Sequence, residues 1–153
     1  MDFGYLFTSF EGRINRKPYW IATLIMIAGV IVLSIVLAFA LGGGGGVLLQ
    51  IVLLVIIGYP ATALMIKRLH DRDRPNFLVA IFWAPSVITL LGQMTGITGT
   101  MTDVYGTPVF QPNMLGWIIN IIGLVIGIWA LIELGFLRGT DGPNQHGPDP
   151  LQQ

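Results

Sequence analysis

The run Lys67-Arg68-Leu69-His70-Asp71-Arg72-Asp73-Arg74 is the densest polar stretch of the sequence. His70 and Asp71, with Asp141, His146 and Asp149, are the residue types that hold a metal ion. A metal centre needs three or four converging ligands, and no spacing among these five matches a known ligand motif. Nucleophilic catalysis fares no better, because no pattern in the sequence joins Ser9 to His70 as nucleophile and base. Gly42 to Gly46 lacks the following Lys and Ser or Thr that complete a phosphate-cradling loop. The absence of cysteine removes disulfides, thiolate nucleophiles and thiolate-held metals together. The sequence therefore implies no catalytic residue, no metal and no cofactor, and reads as a protein that is not an enzyme.

The same run has a physical reading as the end of a helix. Arg68 and Asp71 stand three apart and Lys67 and Asp71 four apart, so a helix that continues through them neutralises Asp71 locally. Basic residues at a membrane edge also attract anionic lipid, by about 1 kcal/mol each. Glu133 is the only acid close to an apolar segment, and Arg138 follows five residues later. Glu133 is therefore expected at the membrane surface, in an ion pair with a basic residue after the second span.

The elements that must position these groups belong in lipid. Of 153 residues 54% are hydrophobic and 10% charged, against roughly 25% charged in a soluble domain. Eight Lys and Arg cancel eight Asp and Glu, so total charge gives no reason to expect nucleic acid. About 20 apolar residues cross a bilayer as a helix. Four windows qualify, at about 20–41, 47–66, 76–94 and 114–137. Gly42 to Gly46 reads as a tight turn, and Thr95 to Asn113, with its Thr, Gly and Pro, reads as a loop. Ala38-Phe39-Ala40 resembles a signal cleavage pattern, but the apolar stretch exceeds a usual signal core and Asp2 and Glu11 precede it, so the first window is read as a retained span.

Orientation follows from Lys and Arg, which stay on the cytoplasmic side during insertion. Arg13, Arg16 and Lys17 precede the first span, Lys67, Arg68, Arg72 and Arg74 separate the second from the third, and Arg138 follows the fourth. The connections on the other face contain none. Both termini are thus expected in the cytoplasm. Phe3, Leu6, Phe7 and Phe10 recur at helical spacing behind Asp2, which predicts a short interfacial helix within 3–12. In the fourth span Gly116, Asn120, Gly123 and Gly127 share a face that suits close helix packing, within the chain or between copies. The expected fold is an all-α membrane protein, one domain over 1–153, ending in a short cytosolic tail at 139–153.

Three segments carry a family resemblance. Phe10-Glu11-Gly12-Arg13-Ile14-Asn15-Arg16-Lys17-Pro18-Tyr19-Trp20, Lys67-Arg68-Leu69-His70-Asp71, and the tail from Gly139 to Pro150 with Gly142-Pro143-Asn144 and Asp149-Pro150 resemble, in order, the signatures of the YhaH-like bacterial inner-membrane family, a domain of unknown function. Arg74-Pro75-Asn76-Phe77 stands where that family shows Ser-Gly-Trp after His-Asp, and His146 stands in place of Tyr. The resemblance implies a multi-span protein of the bacterial inner membrane and no particular reaction. All three segments fall on the expected cytosolic face, so Arg13, Arg16, Arg68, His70, Asp71 and Asn144 are expected to form one polar network there. Its expected ligand is an anionic phospholipid headgroup, a small anion or a protein partner, a second copy included. The alternatives are a purely structural network, or a small oligomeric transporter or channel with Asn120, Gln50 and Gln93 along its path.

Overall fold

The computed structural model describes residues 2–40 and 46–152. The turn expected at Gly42 to Gly46 lies almost wholly outside the described residues. A short helix, α1 (Phe3–Thr8), comes first, followed by three long ones: α2 (Arg16–Ala40), α3 (Gly46–Asp71) and α4 (Leu78–Thr95). A fifth helix, α5 (Met114–Leu131), ends in a π-helical turn over Ile132–Phe136. Four of these are long and apolar enough to cross a membrane: α2, α3, α4, and α5 with its π turn. Their flanks are lined with exposed Ile, Leu, Val and Phe. Such side chains suit hydrocarbon, and a helix satisfies its own backbone there. Pro60 and Pro85 both lie inside continuous helices.

Between α4 and α5 the expected loop is an antiparallel hairpin, β1 (Gly99–Val104) and β2 (Thr107–Pro112), and the fold is mostly rather than wholly helical. The physical reason is visible afterwards in the residue types. Thr100, Thr102, Val104 and Val109 suit a pleated strand, and Tyr105-Gly106 turns the chain with both residues at positive φ, 55° and 80°. That is the conformation of a tight two-residue hairpin turn. Asp103 steadies it by accepting a hydrogen bond from the Gly106 N–H at 2.7 Å.

The packed core sits at one end of the bundle, where α2 starts, α3 ends and α5 ends. Leu6, Ile14, Tyr19, Ala22, Leu64, Leu69, Leu78, Val79 and Leu134 form it. Every Lys and Arg of the chain belongs to this basic end or to the segments that adjoin it. α1 begins with Asp2 accepting from the Tyr5 N–H. It then lies against α3, with the Tyr59 hydroxyl donating to Thr8 O at 2.9 Å and Phe10 edge-on to the Tyr59 ring. The helix is shorter than the 3–12 expected, because the chain leaves helical geometry at Ser9.

The closing turns of the fourth span explain why that end is tightly tied. A helix leaves its last carbonyls without backbone partners. Here Leu134 O accepts from Arg68 Nε at 2.6 Å, Gly135 O from Trp20 Nε1 at 3.0 Å, Phe136 O from Arg16 Nη1 at 3.2 Å, and Leu137 O from Arg68 Nη2. Side chains of α2 and α3 thus cap α5 from two directions. Three of these four carbonyls, those of Leu134, Gly135 and Phe136, belong to the π turn.

Candidate functional site

Asp71, the last residue of α3, is the hub of the basic end. Its Oδ1 accepts from Arg13 Nε at 3.3 Å and Nη2 at 3.2 Å, and its Oδ2 accepts from Arg68 Nη1. Its backbone oxygen accepts the Thr140 N–H at 2.8 Å and the Thr140 hydroxyl at 3.2 Å. Arg13, Arg68 and Asp71 are 7%, 0% and 3% exposed, so the trio is internal. A buried ion pair offsets its desolvation only when every remaining donor is satisfied. Arg13 meets that condition: Nη1 donates to Gly142 O at 2.9 Å and Gly147 O at 3.2 Å, and Nη2 to Thr140 O at 2.8 Å. All five N–H groups of a guanidinium are then used.

The tail is threaded through this hub. Asn144 Nδ2 donates to His70 O at 2.9 Å and to the Thr140 hydroxyl at 3.0 Å, while the backbones of Asn144 and Gly147 pair across a tight turn. Gly139 passes so close to Asp71 that a Cβ there would overlap the carboxylate. His70 Nδ1 lies 3.0 Å from Gly12 O and donates to it, since a carbonyl only accepts. The ring is stacked on His146, with centroids 3.8 Å apart and planes 5° apart. His70 Nε2 is buried with no partner among the described residues.

Arg13, Arg68, His70, Asp71 and Asn144 therefore meet at one point, while Arg16 stands at the edge against Phe136 O. Two features escape sequence reasoning. Lys67 does not approach Asp71; its ammonium donates to Tyr5 O and Leu6 O and lies over the Tyr5 ring. Thr140 links Asp71, Arg13 and Asn144, and nothing in its type or spacing marks it for that. Glu133 is paired twice after α3 ends, with Arg72 Nε at 2.8 Å and Arg74 Nε at 3.2 Å. In α5, Gly123 faces Pro85 of α4 within the same chain and Gly116 lies under Thr98 O. Asn120 and Gly127 face a chamber between the helices.

Beside the hub opens a cleft of about 470 Å³. Arg68 and Asp71 line it, Arg16 and Lys17 stand at the start of α2, Arg138 follows the π turn, and Asp141 and Asp149 come from the tail. Among the described residues neither Lys17 nor Arg138 has an ion-pair partner.

A family model described as "Protein of unknown function (DUF805)" matches residues 7–148, a span that contains every segment of this hub. The chain belongs to the DUF805 family. Among its relatives, the uncharacterized protein YiiR of Escherichia coli strain K12 is 32% identical over 146 residues, covering 92% of this chain and 85% of that protein. The inner membrane protein YhaI of the same strain is 28% identical over 145 residues, covering 94% and 87%. No solved structure matches. With four apolar helices and an inner-membrane relative, this DUF805 chain is a multi-pass membrane protein.

Tail docking in this DUF805 protein is expected to depend on pH. Burial, and then the facing His70, hold His146 below its ordinary 6.5. The Leu151 and Gly142 N–H groups, which Asp149 accepts at 2.9 and 3.0 Å, hold that carboxyl below its ordinary 3.8. His146 is lower docked than released, and Asp149 is lower with the tail turn formed than with it open, so the released, open tail binds more protons and the docked, folded tail is favoured as pH rises. That contribution is complete above each ordinary value and is lost as pH falls through the lowered one. A spin label on Gln152→Cys, in a chain that has no other cysteine, is expected to gain mobility as pH falls below about 6.5 and again at the acid end. His146→Phe should remove the first step and leave the second. Mobility unchanged across the range would mean that neither group holds the tail.

Proposed function

We propose that this protein is a non-enzymatic component of the bacterial inner membrane, with its basic end in the cytoplasm, whose cleft beside Asp71 holds an anionic phospholipid headgroup. The observation that carries this reading is the cleft itself, at the level where four helices end, with Lys17 and Arg138 lacking ion-pair partners among the described residues. The restriction of all eight Lys and Arg to this side of the expected spans supports a cytoplasmic orientation. α1, with Phe3 exposed and stacked on Phe7 while Leu6 points into the core, suits the headgroup layer beside it. Arg13 is saturated within the chain and serves as floor rather than contact, so the anion falls to Arg16, Lys17 and Arg138, with Arg68 behind them.

Native mass spectrometry of protein extracted gently from bacterial membranes tests this. Phosphatidylglycerol or cardiolipin is expected to be retained, and Lys17→Gln and Arg138→Gln are each expected to lower retention about fivefold, near 1 kcal/mol per cation. Both positions are exposed, so neither change should alter the melting temperature. A second reading, that the hub serves only the fold, is favoured by the complete use of Arg13 within the chain. It is the correct one if the protein emerges bare, or if a variant carrying both Lys17→Gln and Arg138→Gln retains as much lipid as wild type. A retained second chain in place of lipid would identify the cleft as a protein interface instead.

A further inference from the structure

At the opposite half of the bundle the four spans do not close on one another. They surround a chamber of about 580 Å³ bounded by α2, α3, α4 and α5. Most of its wall is apolar, from Leu53, Leu54, Ile57, Phe82 and Trp83 among others. No ionisable side chain lines it. Four neutral polar ones do: Gln50 from α3, Ser86 and Thr89 from α4, and Asn120 from α5. Gln93, the other amide expected along a path, is not among them.

Three of these groups stand at one level. Gln50 is four residues from the start of α3, Thr89 six from the end of α4 and Asn120 six from the start of α5. At the helical rise these offsets place them about 6–9 Å inside the ends of their helices. Gln50 and Asn120 are both exposed, and the side-chain hydrogen bonds of this region among the described residues involve neither. An amide left in hydrocarbon without a partner is costly. A second observation points the same way. The Thr98 hydroxyl, on a residue 4% exposed, is buried without a partner among the described residues. It lines a void of about 10 Å³ that shares Thr89, Ile119 and Asn120 with the chamber.

The way in is from the side. Between α4 and α5 the base of the hairpin covers the polar end, where Thr98 N–H donates to Gly92 O, Asn113 N–H donates to Thr98 O and Asn113 Nδ2 donates to Ile97 O. α2 meets the last helix mainly at the basic end, through Trp20 against Gly135 and Phe136. Further along, α2 contributes only Val30 to the chamber wall. The seam between α2 and α5 therefore faces lipid, and an occupant arrives through it dissolved in the membrane.

We infer that this chamber is a binding site for an uncharged, membrane-dissolved amphiphile whose oxygen-bearing head is held by Gln50, Asn120, Thr89 and Ser86 while its apolar body fills the seam. The absence of charge in the wall excludes a phosphate or carboxylate head at this depth. The site is separate from the cleft at the basic end and stands whether or not that cleft binds lipid. Two sources supply such a head: the ring carbonyls of a quinone and the ester and hydroxyl oxygens of a diacylglycerol.

Trp83 lies in the wall and reports occupancy by its fluorescence. Purified protein in nanodiscs is titrated with decylubiquinone or with a brominated dioleoylglycerol, both of which quench indole on contact. Saturable quenching by one probe is expected, absent in Trp83→Phe, and the probe that saturates identifies the head. Gln50→Leu with Asn120→Leu should weaken it about tenfold, the loss of two modest hydrogen bonds. Gly127→Leu, whose added side chain enters space with nothing within 4 Å, should abolish it by filling the chamber. Melting temperatures near wild type establish that these variants fold. Quenching that fails to saturate with both probes, or that survives unchanged in the double variant, overturns the assignment. So does a dimer in the nanodisc that the Gly127→Leu variant disperses, since a second copy would then occupy the seam.

Discussion

Asp71→Asn is expected to cost about 3–5 kcal/mol of folding free energy, the range for breaking a buried ion pair from one side. The substitution keeps the shape of the side chain and one oxygen, and removes only the charge. Two guanidinium groups then remain beside each other, Arg68 fully buried and Arg13 nearly so. The new amide also offers its own N–H groups toward Arg13 or Arg68, donors against donors. Because Arg13 ties the N-terminal segment, Arg68 ties the end of α5 and Thr140 ties the tail, all through Asp71, the loss is expected to be cooperative. Thermal unfolding in detergent checks it, with Glu133→Gln as the comparison. Arg74 is half exposed and can rehydrate, so that second change should cost well under half as much. Equal effects from the two substitutions would mean that Asp71 is not the hub the geometry makes it.

What the sequence made legible follows from which forces act locally. Spans and the clustering of basic residues were readable because both depend on composition over some 20 residues, a length at which lipid tolerates few exceptions. The Arg68–Asp71 contact was readable from three-residue spacing on a helix. The destination of Lys67 was not, because its partners are backbone carbonyls of α1, more than 60 positions away, and a carbonyl carries no residue type. Thr140 was hidden for the same reason. The hairpin is hidden for a different reason: Thr, Gly and Pro between 95 and 113 read as breakers, while the alternation of Thr and Val around Tyr105-Gly106 carries the strand signal. For the chamber, the polar types of Gln50 and Asn120 were visible, but their meeting at one depth depends on where α3 and α5 begin.

Lys67→Met is expected to release α1 without unfolding the bundle. The methionine matches the lysine stem in length and returns to the core the cost of burying an ammonium, so the spans lose little. The loss falls on Tyr5 O and Leu6 O, the carbonyls near the end of a six-residue helix that is too short to hold itself. Two hydrogen bonds to a charged donor, at about 1.5–3 kcal/mol each, are replaced by contacts that offer those oxygens nothing. The remaining ties of α1 to α3 are the buried Leu6 side chain, the Tyr59 hydroxyl on Thr8 O and the edge of Phe10 on the Tyr59 ring, and none of these replaces the ammonium. Hydrogen exchange should therefore rise at the Leu6 and Ser9 amides, which donate to Asp2 O and Tyr5 O, while the amides of α3 and α4 keep their protection. Exchange that rises evenly across all the helices would place Lys67 in the common core and not in the anchoring of α1.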